Sequence, residues 1–418
     1  MLAIVKVHYI YSACVVIETR DARICCDPWF TQRIYDGSWF QYPVVHDPVG
    51  KIGPVDYVYI SHIHRDHYDP PFLHELLSAN PGCEILIGTD NQAFLREKMK
   101  RDGFQPRSVE TLTVGATELA IIPNNEDSEI NIDSALVVKG DGKIVVNLND
   151  CPYDAQQIKD ILTFCGRSPD FACLPYAGAG PYPQAYRFST IEERTAAISA
   201  KKERFLLLFK TYFDALTPRM AMPFAGIYYL GGRLRDLNSL RGVPDAVEVR
   251  ERFGNRVVVL AEGEGSIDLE TDEIRGERLA PYDQNEVEAA LRAFDSEPYP
   301  YERDPSVTEN ELVGLLSRAH ANAVSRITDH PDRTLCIKCP ETRYLCVDST
   351  RPGEVRLAER VDDIGAREEI HIDSRLLSGL LQRKYHWHGA EAGSHFGFFR
   401  EPEAYDRRIY NLLNFLQA

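Results

Sequence analysis

The stretch Val55-Asp-Tyr-Val-Tyr-Ile60, followed by Ser61-His-Ile-His-Arg-Asp-His-Tyr68 and Asp69-Pro-Pro71, runs from an apolar, β-branched segment into a loop holding three histidines and one aspartate. The first part reads as a strand and the proline pair as the start of a helix. Extended chain presents alternate side chains to one side, so His62, His64 and Asp66 can converge on one point, and His67 adds a neighbouring imidazole. Neutral imidazole and carboxylate are donors that zinc, iron or manganese accepts at about 2.0–2.2 Å. The loop is therefore read as a divalent-metal site on His62, His64, Asp66 and His67, with Asp66 also a candidate catalytic base.

Around this loop the sequence alternates short strands with helices. Strands are predicted at 13–18, 23–26, 55–60, 84–87, 118–122 and 134–138, with helices at 71–78 and 91–101. Two β-branched runs joined by Gly140-Asp-Gly142 predict a hairpin over 134–147, because that turn supplies positive-φ positions. A helix at 153–164, a strand at 171–175, helices within 191–216 and a strand at 220–224 complete an α/β pattern that predicts an αββα sandwich over residues 1–262. An acidic, proline-containing stretch, 263–305, is the expected linker, interrupted by a helix at 285–294. A smaller C-terminal α/β domain is expected over 306–418: a helix at 309–327, strands within 334–347 and around 355–357 and 370, then further helices.

With 418 residues, 44% hydrophobic, two domains can each bury a core. No run approaches the eighteen or so apolar residues of a membrane span. The formal charge of −16 argues against a nucleic-acid partner but leaves a small molecule open, since a bound cation sets the local field. Met1-Leu-Ala-Ile-Val-Lys-Val-His-Tyr-Ile10 reads as a strand rather than a signal peptide, so ten cysteines are expected as reduced thiols in a cytoplasmic protein. Cys336-Ile-Lys-Cys339 sits in an alternating strand without a second ligand pair and is not read as a zinc site.

A strand followed by His-x-His-x-Asp-His resembles the signature of the metallo-β-lactamase superfamily, and the likeness extends over about the first 230 residues. It implies that superfamily's αββα fold, and the C-terminal part resembles the small sterol-carrier-like domain of some members. It also implies that Asp27, in Asp27-Pro-Trp-Phe30, hydrogen-bonds within the metal loop. Asp150, in Asn147-Leu-Asn-Asp150, matches the later ligand aspartate and is a second catalytic candidate. Within the superfamily, Asp27-Pro-Trp-Phe30, Leu174-Pro-Tyr-Ala-Gly-Ala-Gly-Pro-Tyr-Pro183 and Trp387-His-Gly-Ala-Glu-Ala-Gly-Ser-His395 are most similar to the lactamase-like part of the CMP-N-acetylneuraminate hydroxylases and their bacterial relatives. Ascorbate-phosphate lactonases and N-acyl-phosphatidylethanolamine phospholipases are more distantly similar.

Two-metal members of the superfamily carry two further histidines, but this chain has none between His74 and His320. The two positions read Pro123-Asn-Asn-Glu-Asp-Ser128 and Met222-Pro-Phe-Ala225. Three arrangements stay open. His62, His64 and Asp150 hold one ion with Asp66 and His67 in support; Glu126 or Asp127 substitutes as an oxygen ligand; or His386 and His388, at strand spacing and facing one side, complete the site or bind substrate. Tyr176 and Tyr182, with Trp29 and Trp39, are candidates to line a substrate cleft, and the loop 174–183 can offer backbone amides to an anion.

The expected cofactor is one or two divalent ions, zinc or iron, with manganese as a further option. The leading expectation is hydrolysis of a small substrate, anionic or linked to a sugar or nucleotide, by metal-activated water. The alternative is a non-haem iron oxygenase. A Rieske module needs Cys-x-His and Cys-x-x-His pairs, neither of which occurs here, so an oxygenase requires a separate electron-donor protein. A degraded site that only binds a ligand is the non-enzymatic reading. The sequence leaves the oligomeric state open.

Overall fold

The computed structural model describes residues 5–89, 93–124 and 133–418. Two sheets face each other in the N-terminal part. One has eight strands in the spatial order Glu273–Arg275, Ser266–Asp268, Val5–Tyr11, Cys14–Thr19, Arg23–Cys26, Tyr57–Tyr59, Glu84–Ile87 and Arg107–Ser108. The other has six: Met220–Phe224, Phe171–Pro175, Lys143–Asn147, Ser134–Gly140, Thr117–Pro123 and Thr111–Val114.

Strand alternation decides the layering. Val15 and Ile17 join Leu136, Val138, Val145 and Phe171 in the core between the sheets, whereas Cys14 and Val16 pack with Phe72, Leu73 and Leu76 of the helix Pro70–Ala79. On the second sheet, Val137 and Val146 turn outward onto Ile158 and Ile161 of the helix Ala155–Cys165 and Phe209 of the helix Ile191–Leu216. The αββα sandwich follows, as the order of elements predicts.

Strand direction then gathers the loops that carry polar residues. Arg23–Cys26 and Tyr57–Tyr59 run parallel, so Asp27 and Ser61 follow the same edge of the first sheet. Lys143–Asn147, Phe171–Pro175 and Met220–Phe224 are also parallel, which sets Asp150, Tyr176 and Ala225 along one edge of the second. The predicted hairpin closes at Gly140 and Lys143, with φ 49° at Asp141 and 78° at Gly142, and pairs Leu136 with Asn147.

The C-terminal part holds a separate five-stranded sheet in the order Arg356–Ala358, Tyr344–Val347, Thr334–Lys338, Arg367–His371 and Gly397–Glu401. Helices Glu309–Arg326, Ser374–Leu381 and Arg407–Phe415 contribute Leu316, Leu377 and Leu412 to one core with Leu335, Ile337 and Ile370. Cys339 lies in that core but Cys336 packs in another cluster with Cys346 and Val361, so the Cys-x-x-Cys thiols do not converge. All ten cysteines are free thiols, and among the described residues no helix is long and apolar enough to cross a membrane.

Two sequence expectations change. Within the stretch read as a linker, Ser266–Asp268 pairs with Val5–Tyr11 and with Glu273–Arg275, extending the first sheet, and Gln284–Arg292 buries Val287 and Leu291 beside Phe40. Acidic residues on the outward side of an edge hairpin read like a linker in one dimension. His386 and His388 do not lie in a strand: His386 is the exposed residue before the helix Trp387–Ala392, and His388 belongs to its first turn. The strand spacing that would set both on one side is therefore absent, since His386 is extended and His388 is helical.

Asp69 anchors the metal-loop end of this architecture. Its Oδ2 accepts from the Phe30 and Thr31 amides at 2.9 and 2.7 Å, and its Oδ1 accepts from Thr31 Oγ1 at 2.7 Å while capping Phe72 N at the helix start. Asp69→Ala is expected to cost about 2–4 kcal/mol in urea unfolding, and Asp69→Asn, which retains an acceptor, less. Equal stability of Asp69→Ala and the parent chain would contradict this role.

Candidate metal centre

The loop after Ile60 is held by one buried carboxylate. Asp27 Oδ1 accepts from the Ser61 amide at 2.7 Å; its Oδ2 accepts from Ser61 Oγ at 2.6 Å and lies 2.9 Å from His67 Nδ1. With Nδ1–H donated to Asp27, the other ring nitrogen of His67 faces the site. The resemblance implied this bond for Asp27, and the geometry contains it.

Around that anchor the donor atoms are closely spaced. His62 Nε2 lies 2.8 Å from His64 Nδ1 and 3.9 Å from Asp150 Oδ1. His67 Nε2 lies 3.3 Å from Asp150 Oδ1 and 3.6 Å from Asp66 Oδ2. Ligands about 2.1 Å from one cation stand about 3.0–3.5 Å apart, so these separations fit a divalent ion after small adjustments. The donors fall into two groups sharing Asp150: His62 with His64, and His67 with Asp66. His64 Nε2 is buried without a hydrogen-bond partner, as is Asp133 Oδ1, which stands 4.0 Å from His62 Nδ1.

The surroundings set the charge states. Burial pulls His62 down to about 3 and His64 to about 4, leaving neutral rings with free lone pairs at neutral pH. Burial acts the same way on His67, but Asp150, Asp66 and Asp27 outweigh it and raise this histidine well above its ordinary value. Burial also favours protonated Asp150, yet His67, His62 and His64 together hold its carboxyl well below the usual carboxylate range. Asp133 goes the other way: burial first, then the charge on Asp150, pushes it up to about 7.

Sequence reasoning did not name Asp133, Cys151 or Tyr35. Asp133 and Cys151 form a second possible ligand group with His62. Hairpin register holds the missed signal: pairing of Leu136 with Asn147, continued outward, sets Asp133 opposite Asp150. Tyr35 Oη donates to Asp66 Oδ1 at 2.7 Å, turning the other oxygen toward His67. It is presented by a left-handed turn, φ 62° at Arg33, 50° at Tyr35 and 55° at Asp36, conformations that cost about 1–2 kcal/mol each in L-residues. His395 Nε2 at 2.8 Å from the Tyr35 carbonyl, and the Trp39 indole donating to the Ala392 carbonyl at 3.0 Å, pin that turn to the C-terminal part.

The other candidates divide. The His388 ring lies 4.8 Å from that of His64, the planes 17° apart, with Tyr410 Oη 3.3 Å from its Nδ1. His388 thus lies directly against His64 at the side of the donor cluster. His386 is exposed. Tyr176 packs with Leu174 and Phe209 and also lines a cavity with Tyr228 and Tyr229, and Tyr182 packs with Tyr186 and Phe188. Trp29 and Trp39 are buried as well. At the positions of the absent histidines, Met222 and Phe224 point into the inter-sheet core and Asn124 donates to the Pro152 carbonyl at 2.7 Å. Glu126 and Asp127 lie outside the described residues.

Residues 6–179 match the family model of the β-lactamase superfamily domain. A protein of Mycolicibacterium smegmatis named as a Rieske 2Fe-2S iron-sulfur protein is 31% identical over 241 residues, covering 55% of this chain and 45% of that protein. Cytidine monophosphate-N-acetylneuraminic acid hydroxylase of Cricetulus griseus is 25% identical over 239 residues, 54% of this chain and 40% of the hydroxylase. The chain thus spans less than half the length of these relatives. Among solved structures, a metallo hydrolase of Ignicoccus hospitalis aligns with a TM-score of 0.41 at 18% identity, over 63% of this chain and 97% of its own.

Because the Nδ1 proton of His67 is held by Asp27, a cation that takes this ring must displace a proton from Nε2. Titration of the metal-free protein with Zn2+ near pH 7, in buffers of different ionisation enthalpy, is expected to release about one proton or more, with affinity falling as pH drops. Cation binding without proton release, and of constant affinity between about pH 6 and 8, would remove His67 from the ligand set.

Proposed function

We propose, from the premise that residues 6–179 match the β-lactamase superfamily domain, that this chain is an iron-dependent enzyme hydroxylating a small polar substrate. His62, His64, Asp66, His67 and Asp150 are the assigned ligands of one or two ions. The observation that carries the reading is the mix of donors: the carboxylates of Asp66 and Asp150 stand with the imidazoles of His62, His64 and His67, Asp133 brings a further carboxylate to the rim, and the segments 123–128 and 222–225 supply no histidine. Carboxylate-rich sites favour iron or manganese over zinc. The hydroxylase and Rieske names of the two curated relatives support the same direction.

Iron held by such ligands supplies redox chemistry with dioxygen. Hydroxylation of a C–H bond consumes one O2, two electrons and two protons and yields the alcohol and water, so a separate electron-donor protein is the implied partner. The chain's own residues do the positioning. Asp27 and Ser61 fix the loop and the tautomer of His67, and Tyr35 orients Asp66. His388, hydrogen-bonded to Tyr410, is a group able to hold or pass a proton beside His64.

Metal-dependent hydrolysis is the second reading, and one observation favours it. A buried carboxyl raised to about 7, with an unpartnered oxygen beside the donor cluster, is suited to take a proton from attacking water, and Asp133 is such a group. Asp66 is less free for that task because Tyr35 occupies one of its oxygens.

Metal analysis of protein purified without added metal separates the two. Near-stoichiometric iron, with oxygen uptake on adding a reductant, is expected. Zinc without iron would sink the oxygenase and leave hydrolysis. His64→Ala is expected to weaken metal retention about 10–100-fold, whereas His388→Ala keeps the metal and loses oxygen uptake. Full metal content in His64→Ala would end both enzymatic readings.

A further inference from the structure

Arg241 is buried, 7% exposed, yet only one of its nitrogens is used. Nη1 donates to the Tyr228 carbonyl at 2.6 Å, and the guanidinium lies 3.6 Å from the centre of the Tyr228 ring. Nε and Nη2 have no hydrogen-bond partner. These two nitrogens form the side-on edge of the guanidinium, the fork that takes two oxygens of a carboxylate or phosphate at once.

The cavity that Arg241 lines, about 290 Å3, has Tyr176, Tyr228 and Tyr229 as walls and is at the small end of ligand pockets. Its acidic groups are already matched: Asp245 Oδ1 accepts from Arg278 at 3.1 Å and Glu248 pairs with Lys202. Among the described residues no carboxylate lies within ion-pair distance of Arg241. Lys201, buried one residue from the cavity wall, donates only to the Tyr182 carbonyl, at 2.5 Å. A chain with a formal charge of −16 has acidic residues to spare, yet the buried Arg241 lacks one, and burial and the charge of Arg241 pull Lys201 down to about 7. A purely structural clamp on Tyr228 explains Nη1 and the ring stack. It leaves two buried donors unmade, which is costly.

The position ties this cavity to the metal centre. Tyr176 and Gly226 follow the strands Phe171–Pro175 and Met220–Phe224, the first and second neighbours of the strand leading to Asp150. Two strand spacings are about 10 Å. A row of contacts runs the same way: Arg241 on Tyr228, Tyr228 stacked on Trp39 at 3.4 Å, Trp39 against Tyr35 at 4.5 Å, and Tyr35 bonded to Asp66.

We propose that this cavity is an oxyanion subsite in which the Nε and Nη2 fork of Arg241 holds a carboxylate or phosphate of the substrate, on the sheet edge that also carries Asp150. The proposal rests on the enzymatic reading above and narrows its substrate to an anionic small molecule.

Calorimetric titration of the full chain with inorganic phosphate, and separately with acetate, at constant ionic strength against chloride tests it. Saturable binding of at least one is expected. Phosphate alone would assign a phosphorylated substrate, acetate alone a carboxylate, and both an unselective oxyanion fork. Arg241→Gln and Arg241→Lys are each expected to weaken binding at least about tenfold, because lysine lacks the fork. His64→Ala is expected to lose metal but keep the anion, so failure of the metal reading is seen separately. Should the Arg241 variants not fold, wild-type crystals soaked in arsenate give the same answer through anomalous scattering at Arg241. No saturable binding, unchanged affinity in folded Arg241→Gln, or arsenic absent from this cavity would overturn the proposal.

Discussion

Everything at the candidate metal centre depends on the burial of Asp27 between Ser61 and His67. A carboxylate with no exposed surface is stable only when its oxygens are filled, and here two backbone and side-chain donors of Ser61 and one imidazole fill them. The same three bonds fix where the loop leaves the strand, which nitrogen of His67 carries the proton, and which one turns to Asp150. Removing the carboxylate leaves His67 buried beside two further acids with its orientation undetermined, so this contact sets both the shape of the loop and the basicity of its ligands.

Much of this was legible because it depends on local chemistry. The hairpin over 134–147 was readable because Asp141 and Gly142 supply the positive φ values a tight turn demands, and the strands 171–175 and 220–224 because both faces are buried, which makes them short continuous apolar runs. The clustering of His62, His64, Asp66 and His67 was readable because they fall within six positions of one loop. Asp133 was within reach: the register set by the turn carries it opposite Asp150, but it adjoins a polar stretch and resembles a loop residue.

What sequence did not disclose is decided by tertiary contact. The acidic hairpin at 266–275 pairs with a strand some 260 residues earlier, a partner no local pattern specifies. His386 and His388 alternate like strand residues, yet Trp387 and Ala390 are buried and the segment winds as a helix, which leaves one histidine in solvent and lays the other on His64. Tyr176 and Tyr182 flank a glycine-rich loop, but only the folded chain shows that Tyr176 lines a cavity with Tyr228 while Tyr182 packs with Tyr186 and Phe188. Arg241 gave no signal at all, since an arginine between Leu240 and Gly242 looks like ordinary surface.

The left-handed turn at Arg33, Tyr35 and Asp36 bears on how the molecule is made. It lies early in the chain and is held by Ala392 and His395, more than 350 positions later. During synthesis the sandwich can close long before those residues emerge, so Tyr35 has no clamp and Asp66 no fixed partner while the rest is translated. The donor cluster thus matures in two stages separated by the time needed to make and dock the C-terminal part, and an ion arriving early meets a looser, less discriminating set of donors than one arriving late.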